Sequence, residues 1–169
     1  GDIVTAGHGG LGIHGGIPYP IPKSGEEVMW NHILRWNGES LRYLGNWYVI
    51  SADGKATLVS DTENDQQFPY YYKEQNAEQF EKTDRSYWLV RITNIGPPIK
   101  VGEALLARET IDFSKLGTWV YMTGQRRVRK LPNPCCDTPT PAAAGVMSFD
   151  EIEGFTGRLE RFDFKLVGK

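Results

Sequence analysis

From residue 41 onward, apolar and polar positions alternate in short runs broken by turn residues, and a period of two marks strands with one buried face. Residues 42–52 and 55–60 flank Asp53-Gly54, the strongest hairpin signal in the chain. Residues 61–67 are polar throughout and predict a loop. Tyr70-Tyr71-Tyr72 follows, then a mixed polar piece over 76–85 with room for one helical turn. Ser86-Tyr87-Trp88-Leu89-Val90-Arg91-Ile92-Thr93 predicts a continuous strand, Asn94-Ile95-Gly96-Pro97-Pro98 a turn, and 101–110 the return. Residues 117–121 and 125–131 predict another hairpin around Thr123-Gly124, and 161–167 a last strand. Roughly five to seven consecutive strands joined by tight turns imply an antiparallel meander.

Ahead of the strands the period lengthens. Ser24-Gly25-Glu26-Glu27 has the form of a capping box, and the helix it starts should run to about Trp36 and close at Asn37-Gly38. Met29, Ile33 and Trp36 share one face, with Trp30 and Leu34 beside them, a stripe suited to lying on a sheet. Residues 1–16 hold seven glycines and two histidines, and 17–22 alternate proline with bulky residues. Such a segment is costly to order, so 1–22 reads as an extended arm and 23–169 as one domain.

Charge is nearly balanced, 19 Lys+Arg against 21 Asp+Glu, so no global field argues for nucleic acid. No apolar run approaches the roughly 20 residues a bilayer span needs. Eight Tyr, five Trp and seven Phe are a heavy aromatic load, suited to β structure or to a ring-lined cavity. His8 and His14 lie among glycines with no ligands at metal spacing, and His32 sits on the helix as a hydrogen-bonding residue; neither metal nor cofactor is expected. Cys135 and Cys136 are adjacent and read as loop thiols, although an oxidising compartment permits a strained vicinal bridge. No G-x-S-x-G elbow and no phosphate-binding glycine pattern is present, so no catalytic residue is assigned. Arg126, Arg127, Arg129 and Lys130 form the one dense basic cluster, read as a charge-protected edge strand. Arg127 and Arg129 share a face and could hold an anionic head group or a partner's carboxylates.

The order Trp119-Val120-Tyr121-Met122, Gln125-Arg126-Arg127-Val128-Arg129-Lys130 and Ser148-Phe149-Asp150-Glu151-Ile152 resembles a region of the LolA/LolB-like superfamily of lipoprotein-sorting proteins. Gly16-Ile17-Pro18-Tyr19-Pro20-Ile21-Pro22, Val28-Met29-Trp30-Asn31-His32, Asp137-Thr138-Pro139 and Phe164-Lys165-Leu166-Val167-Gly168-Lys169 are similar to an uncharacterised family of Gram-negative envelope proteins within it. The resemblance implies an α+β fold, a curved antiparallel sheet forming an incomplete β-barrel packed against helices. It implies a non-enzymatic carrier of a lipid or other hydrophobic molecule in the periplasm or outer membrane, with an acyl chain as ligand and an RND-type exporter as partner. A ligand-free structural module of the envelope is the alternative. On this reading Trp30, Trp47, Trp88, Trp119, Tyr121 and Phe149 line the cavity, while Arg127 and Arg129 contact a head group or partner. Longer family members imply that the chain is an internal portion of a parent domain. It is then expected to show an unpaired sheet edge or an apolar patch, and to associate with itself or with the rest of its parent.

Overall fold

The computed structural model describes residues 16–132 and 135–168. Six strands follow one another in chain order: β1 (Ser40–Ile50), β2 (Ala56–Gln67), β3 (Ser86–Gly96), β4 (Ala104–Thr110), β5 (Gly117–Met122) and β6 (Arg127–Lys130). Every neighbouring pair is antiparallel, and the sheet curves without closing. Among the described residues two short helices accompany it, α1 (Gly25–Ile33) and α2 (Ala77–Lys82), which makes the fold α+β.

The β1–β2 hairpin forms where Asp53-Gly54 directs it. Gly54 adopts φ +81°, a left-handed conformation that glycine takes without steric cost. The Asp53 carboxylate accepts from the Ser51 hydroxyl and from the Lys55 amide. Contrary to the loop expected from their polarity, residues 61–67 continue β2 to its end. Thr62, Asn64 and Gln66 point inward and are buried, while Asp61, Glu63 and Asp65 alternate with them on the other face. The period of two is intact, but it alternates neutral polar with acidic residues, so a hydrophobicity pattern could not show it.

Helix α1 does not lie across the sheet. Trp30 and Leu34 pack into an aromatic cluster with Phe68, Tyr70, Tyr71, Phe80, Tyr87 and Leu159, where β2 ends and β3 begins. Full burial of such side chains contributes about 1.5–3 kcal/mol each, so this cluster is the main apolar core. The helix also ends at Ile33 rather than Trp36. The Leu34 amide and the Arg35 guanidinium donate to the carbonyls of Trp30 and His32, which closes the last turn early. Trp36 is left exposed, edge-on to Tyr71. Asn31 ties residues 16–22 to α1 by exchanging hydrogen bonds with the Tyr19 backbone at 2.9 and 2.7 Å, so this part of the expected arm is docked. Residues 1–15, including His8 and His14, lie outside the described residues.

Residues 161–167 form no strand. A 3-10 turn at Leu159–Arg161 leads into an extended tail, where Phe155, Phe162 and Phe164 meet ring to ring. The tail runs against the start of α1, where a Cβ on Gly25 would meet the Phe164 carbonyl carbon at 2.5 Å. Among the described residues, β1 and β6 pair on one side only. Leu44 and Ile50 of β1 are 71% and 72% exposed.

Ser24 caps α1 through its hydroxyl, which accepts from the Glu27 amide at 3.2 Å, while the Glu27 carboxylate reaches back to the Lys23 amide. Ser24→Ala is expected to cost about 1 kcal/mol. Gly25→Ala should cost more, because the backbone of Phe164 must move away; denaturant midpoints for both variants check the order. The open β1 edge is expected to drive concentration-dependent association of the isolated chain, and Leu44→Lys to suppress it. Light-scattering masses across a dilution series measure both.

Candidate functional site

Pairing across the sheet fixes which residues share its concave face. Tyr43 lies opposite Asn64, Asn64 opposite Ile92, Ile92 opposite Leu105, and Leu105 opposite Val120. The next row carries Gln66, Val90, Ala107 and Thr118. Glu109 lies opposite Trp88 beyond it. The face is therefore polar and aromatic on β1 and β2, and largely apolar on β3 and β4.

Residues 135–158 cover this face. Their backbone makes a small bridge, Pro139 to Ser148, then a 3-10 segment at Phe149–Gly154. The capped acidic turn expected there is present, with the Ser148 amide donating to Glu151 at 2.6 Å. Within the cover, Phe149 and Asp150 are buried. Three links hold the cover down. Arg35, two residues past the end of α1, pairs with Glu153 at 2.8 Å. Arg161 bridges Asp150 and Asp137 at 3.3 and 3.1 Å. His32 Nε2 donates to the Phe155 carbonyl at 3.2 Å, so this histidine joins helix to cover.

Between sheet and cover lies a trough of about 250 Å³. Its walls include Val90, Ile92, Leu105, Ala107, Phe113 and Phe149. Smaller clefts continue it along β3 in both directions, one past Tyr87 and Phe68, the other past Asn94 and Val120. The polar floor is mostly bonded to itself. Thr62 Oγ accepts from Trp47 Nε1 at 3.0 Å and Asn64 Nδ2 at 2.9 Å, and donates to the Gly45 carbonyl. Gln66 accepts from Trp88 Nε1 at 3.1 Å and donates to the Tyr43 hydroxyl at 3.2 Å. Desolvation, and then the charge of Glu153, raise the Tyr43 hydroxyl above the usual tyrosine range.

Two acceptors of the sheet that line the trough stand out. Asn64 Oδ1 has no partner although the residue is 0% exposed. Glu109 lines the trough with no ion pair or side-chain hydrogen bond among the described residues, and burial pushes its carboxyl up to about 7. Chain periodicity hid this residue, because Glu109 sits between Arg108 and Thr110 in a stretch that reads as the polar end of a strand. Only pairing with Trp88 turns it inward.

The expected cavity residues divide. Trp47, Trp88 and Phe149 line the trough together. Trp30 belongs to the aromatic core beside it. Trp119 is carried to the convex face, opposite Leu106, with Lys130 over its ring, while Tyr121, opposite Ala104, is absent from the trough lining and borders the cleft past Asn94 and Val120. Arg127 and Arg129 share a face of the exposed strand β6, opposite Met122 and Val120, and are not among the residues that line the trough. The cysteines, read as free thiols, form a bond between Cys135 and Cys136; Cys135 lines the trough at the start of the cover. No group of three metal-ligating side chains occurs among the described residues, and no helix is long and apolar enough to cross a membrane.

Glu109 carries a pH signature. In the unfolded chain its carboxyl titrates near 4.5, and in the fold near 7. Stability should therefore be undiminished below the lower value, fall as pH rises through this window and level off above it, because ionisation is penalised only in the fold. Glu109→Gln should remove the slope and leave the variant more stable at pH 8 by at most about 3 kcal/mol. Melting temperatures from pH 4 to 8, compared with wild type, read this out.

Comparison with known proteins agrees with the span of the sequence resemblance. The family described as "Protein of unknown function (DUF1329)" matches residues 2–169. An uncharacterized protein of Pseudomonas aeruginosa, PA3922, is 34% identical over 178 residues, covering 99% of this chain. The chain spans 36% of that relative's length. No solved structure matches. The chain belongs to the DUF1329 family of proteins of unknown function.

Proposed function

We propose that the protein is a non-enzymatic binding or carrier protein for an elongated hydrophobic molecule, acting in the periplasm or outer membrane of a Gram-negative bacterium. The observation that carries this reading is the covered trough, an apolar-walled space of about 250 Å³ extended by clefts along β3. Ligand sites are commonly concave, mostly apolar and fitted with a few polar groups. A curved, unclosed antiparallel sheet under a cover is also the arrangement that a LolA/LolB-like fold implies, and an acyl chain suits its shape. The largely apolar walls of the trough support binding as its chemistry.

A second reading rests on β1. Its exposed apolar side chains and unpaired edge suit an interaction module of the envelope, docking onto the remainder of a longer chain or a partner such as an RND-type exporter.

Trp47 and Trp88 line the trough and report on its contents. Titration with medium-chain alcohols or acids is expected to change their fluorescence saturably and to raise the melting temperature. A ligand at 100 times its Kd adds about 2.7 kcal/mol. Ala107→Phe, which fills the apolar wall, should abolish both effects while circular dichroism stays native. A folded wild-type protein that responds to no amphiphile would refute the carrier and leave the interaction module.

A further inference from the structure

The trough contains more uncompensated polarity than a purely hydrocarbon guest needs. Buried polar groups are ordinarily paired, and each exception calls for a partner that completes it. Among the sheet residues that line the trough, Asn64 Oδ1 is buried without a partner, and the Glu109 carboxyl has no ion pair or side-chain hydrogen bond among the described residues; both are acceptors. Asn64 spends its donor on Thr62, so flipping the amide would break that bond. On the cover side the exceptions are Thr140 Oγ, Asp150 Oδ1 and Arg158 Nε. Arg158 already has Glu160 as its counter-ion and lies over the Phe113 ring.

The other titratable groups facing the trough are also accounted for. Glu153 pairs with Arg35 and Asp150 with Arg161. Tyr43 accepts from Gln66, and the buried Tyr87 beyond Trp88 is raised by desolvation and then by Glu109 itself. Glu109 is thus the one carboxyl among the described trough residues without a cation. Its cross-strand neighbour Trp88 offers an indole, the ring type on which cations sit best.

We propose that the trough's occupant is an amphiphile headed by a protonated amine, with the ammonium group seated against Glu109 and the chain lying along the apolar wall. This rests on the carrier reading and names its ligand class. An ammonium group is donor-only and cationic, matching a lone carboxylate in a low-dielectric site. A carboxylate-headed chain would bring like charge and more acceptors to the same place. Asn64 lies about 13 Å further along β3, four residues from the Glu109 row, and is placed to accept from a second donor on a longer ligand.

The test compares octylamine, octanol and octanoate, which share a chain and differ only in the head. Binding is followed by tryptophan fluorescence on the wild type and on Glu109→Gln, at pH 6 and pH 8. Octylamine is expected to bind about tenfold or more tightly than octanol at pH 8, and to lose that advantage at pH 6 as Glu109 takes up its proton. Glu109→Gln should reduce octylamine binding to the level of octanol at both pH values and leave octanol unchanged. Octanoate binding as tightly as octylamine, or an octylamine preference that survives in Glu109→Gln, overturns the amine assignment while the carrier stands. No binding of any of the three to folded protein overturns the carrier reading with it.

Discussion

The interior of this sheet depends on the hydrogen bonds gathered at Thr62. β2 turns Ser60, Thr62, Asn64 and Gln66 inward, where an unpaired hydroxyl or amide costs on the order of 1–3 kcal/mol. Thr62 removes most of that cost by linking Trp47, Asn64 and the Gly45 carbonyl through one hydroxyl. These bonds tie the indole of Trp47 to β2 and reinforce the register of β1 with it. Gly45 makes the arrangement possible, since a Cβ there would press on Thr62 Oγ at 3.2 Å. The result is a rigid polar floor whose groups largely satisfy one another, so the space above it can remain open.

The core and the trough are separate structures that share a border. The aromatic cluster around Tyr70 and Phe80 closes one end of the sheet, and Tyr87 and Trp88 of β3 stand on either side of the division. Tyr70 is buried deeply enough for desolvation to push its hydroxyl up to about 12. Stability concentrated at one end frees the concave face from serving as the core. The same division explains why α1 packs beside the trough, where Arg35 and His32 reach residues 135–158 without filling it.

The convex face carries its charges in a ladder. Arg42 pairs with Glu63 at 2.7 Å and Asp65 at 3.4 Å, and Arg91 approaches both acids from the far side. Exposed pairs of this kind contribute little individually, about 0–1 kcal/mol. Their value here is positional, because cross-strand charges reinforce the register that turns Thr62, Asn64 and Gln66 inward.

The amino-acid sequence by itself determined the elements whose cause is local. Asp53-Gly54 made its hairpin, Ser24 its cap, Ser148 and Glu151 their turn, and the apolar run from Ser86 its strand, because turn chemistry and capping act over a few residues. Tertiary structure decided everything that needed a partner from elsewhere in the chain. Residues 61–67 became strand because β1 and β3 supply hydrogen bonds on both sides, and residues 161–167 did not because the aromatic tail packs on α1 instead. Trp88 and Trp119 are both aromatic residues in strands, yet pairing sends one into the trough and the other to the convex face. Glu109 shows the limit most clearly, since an acid at a strand end reads as solvated until a facing cover takes its water away.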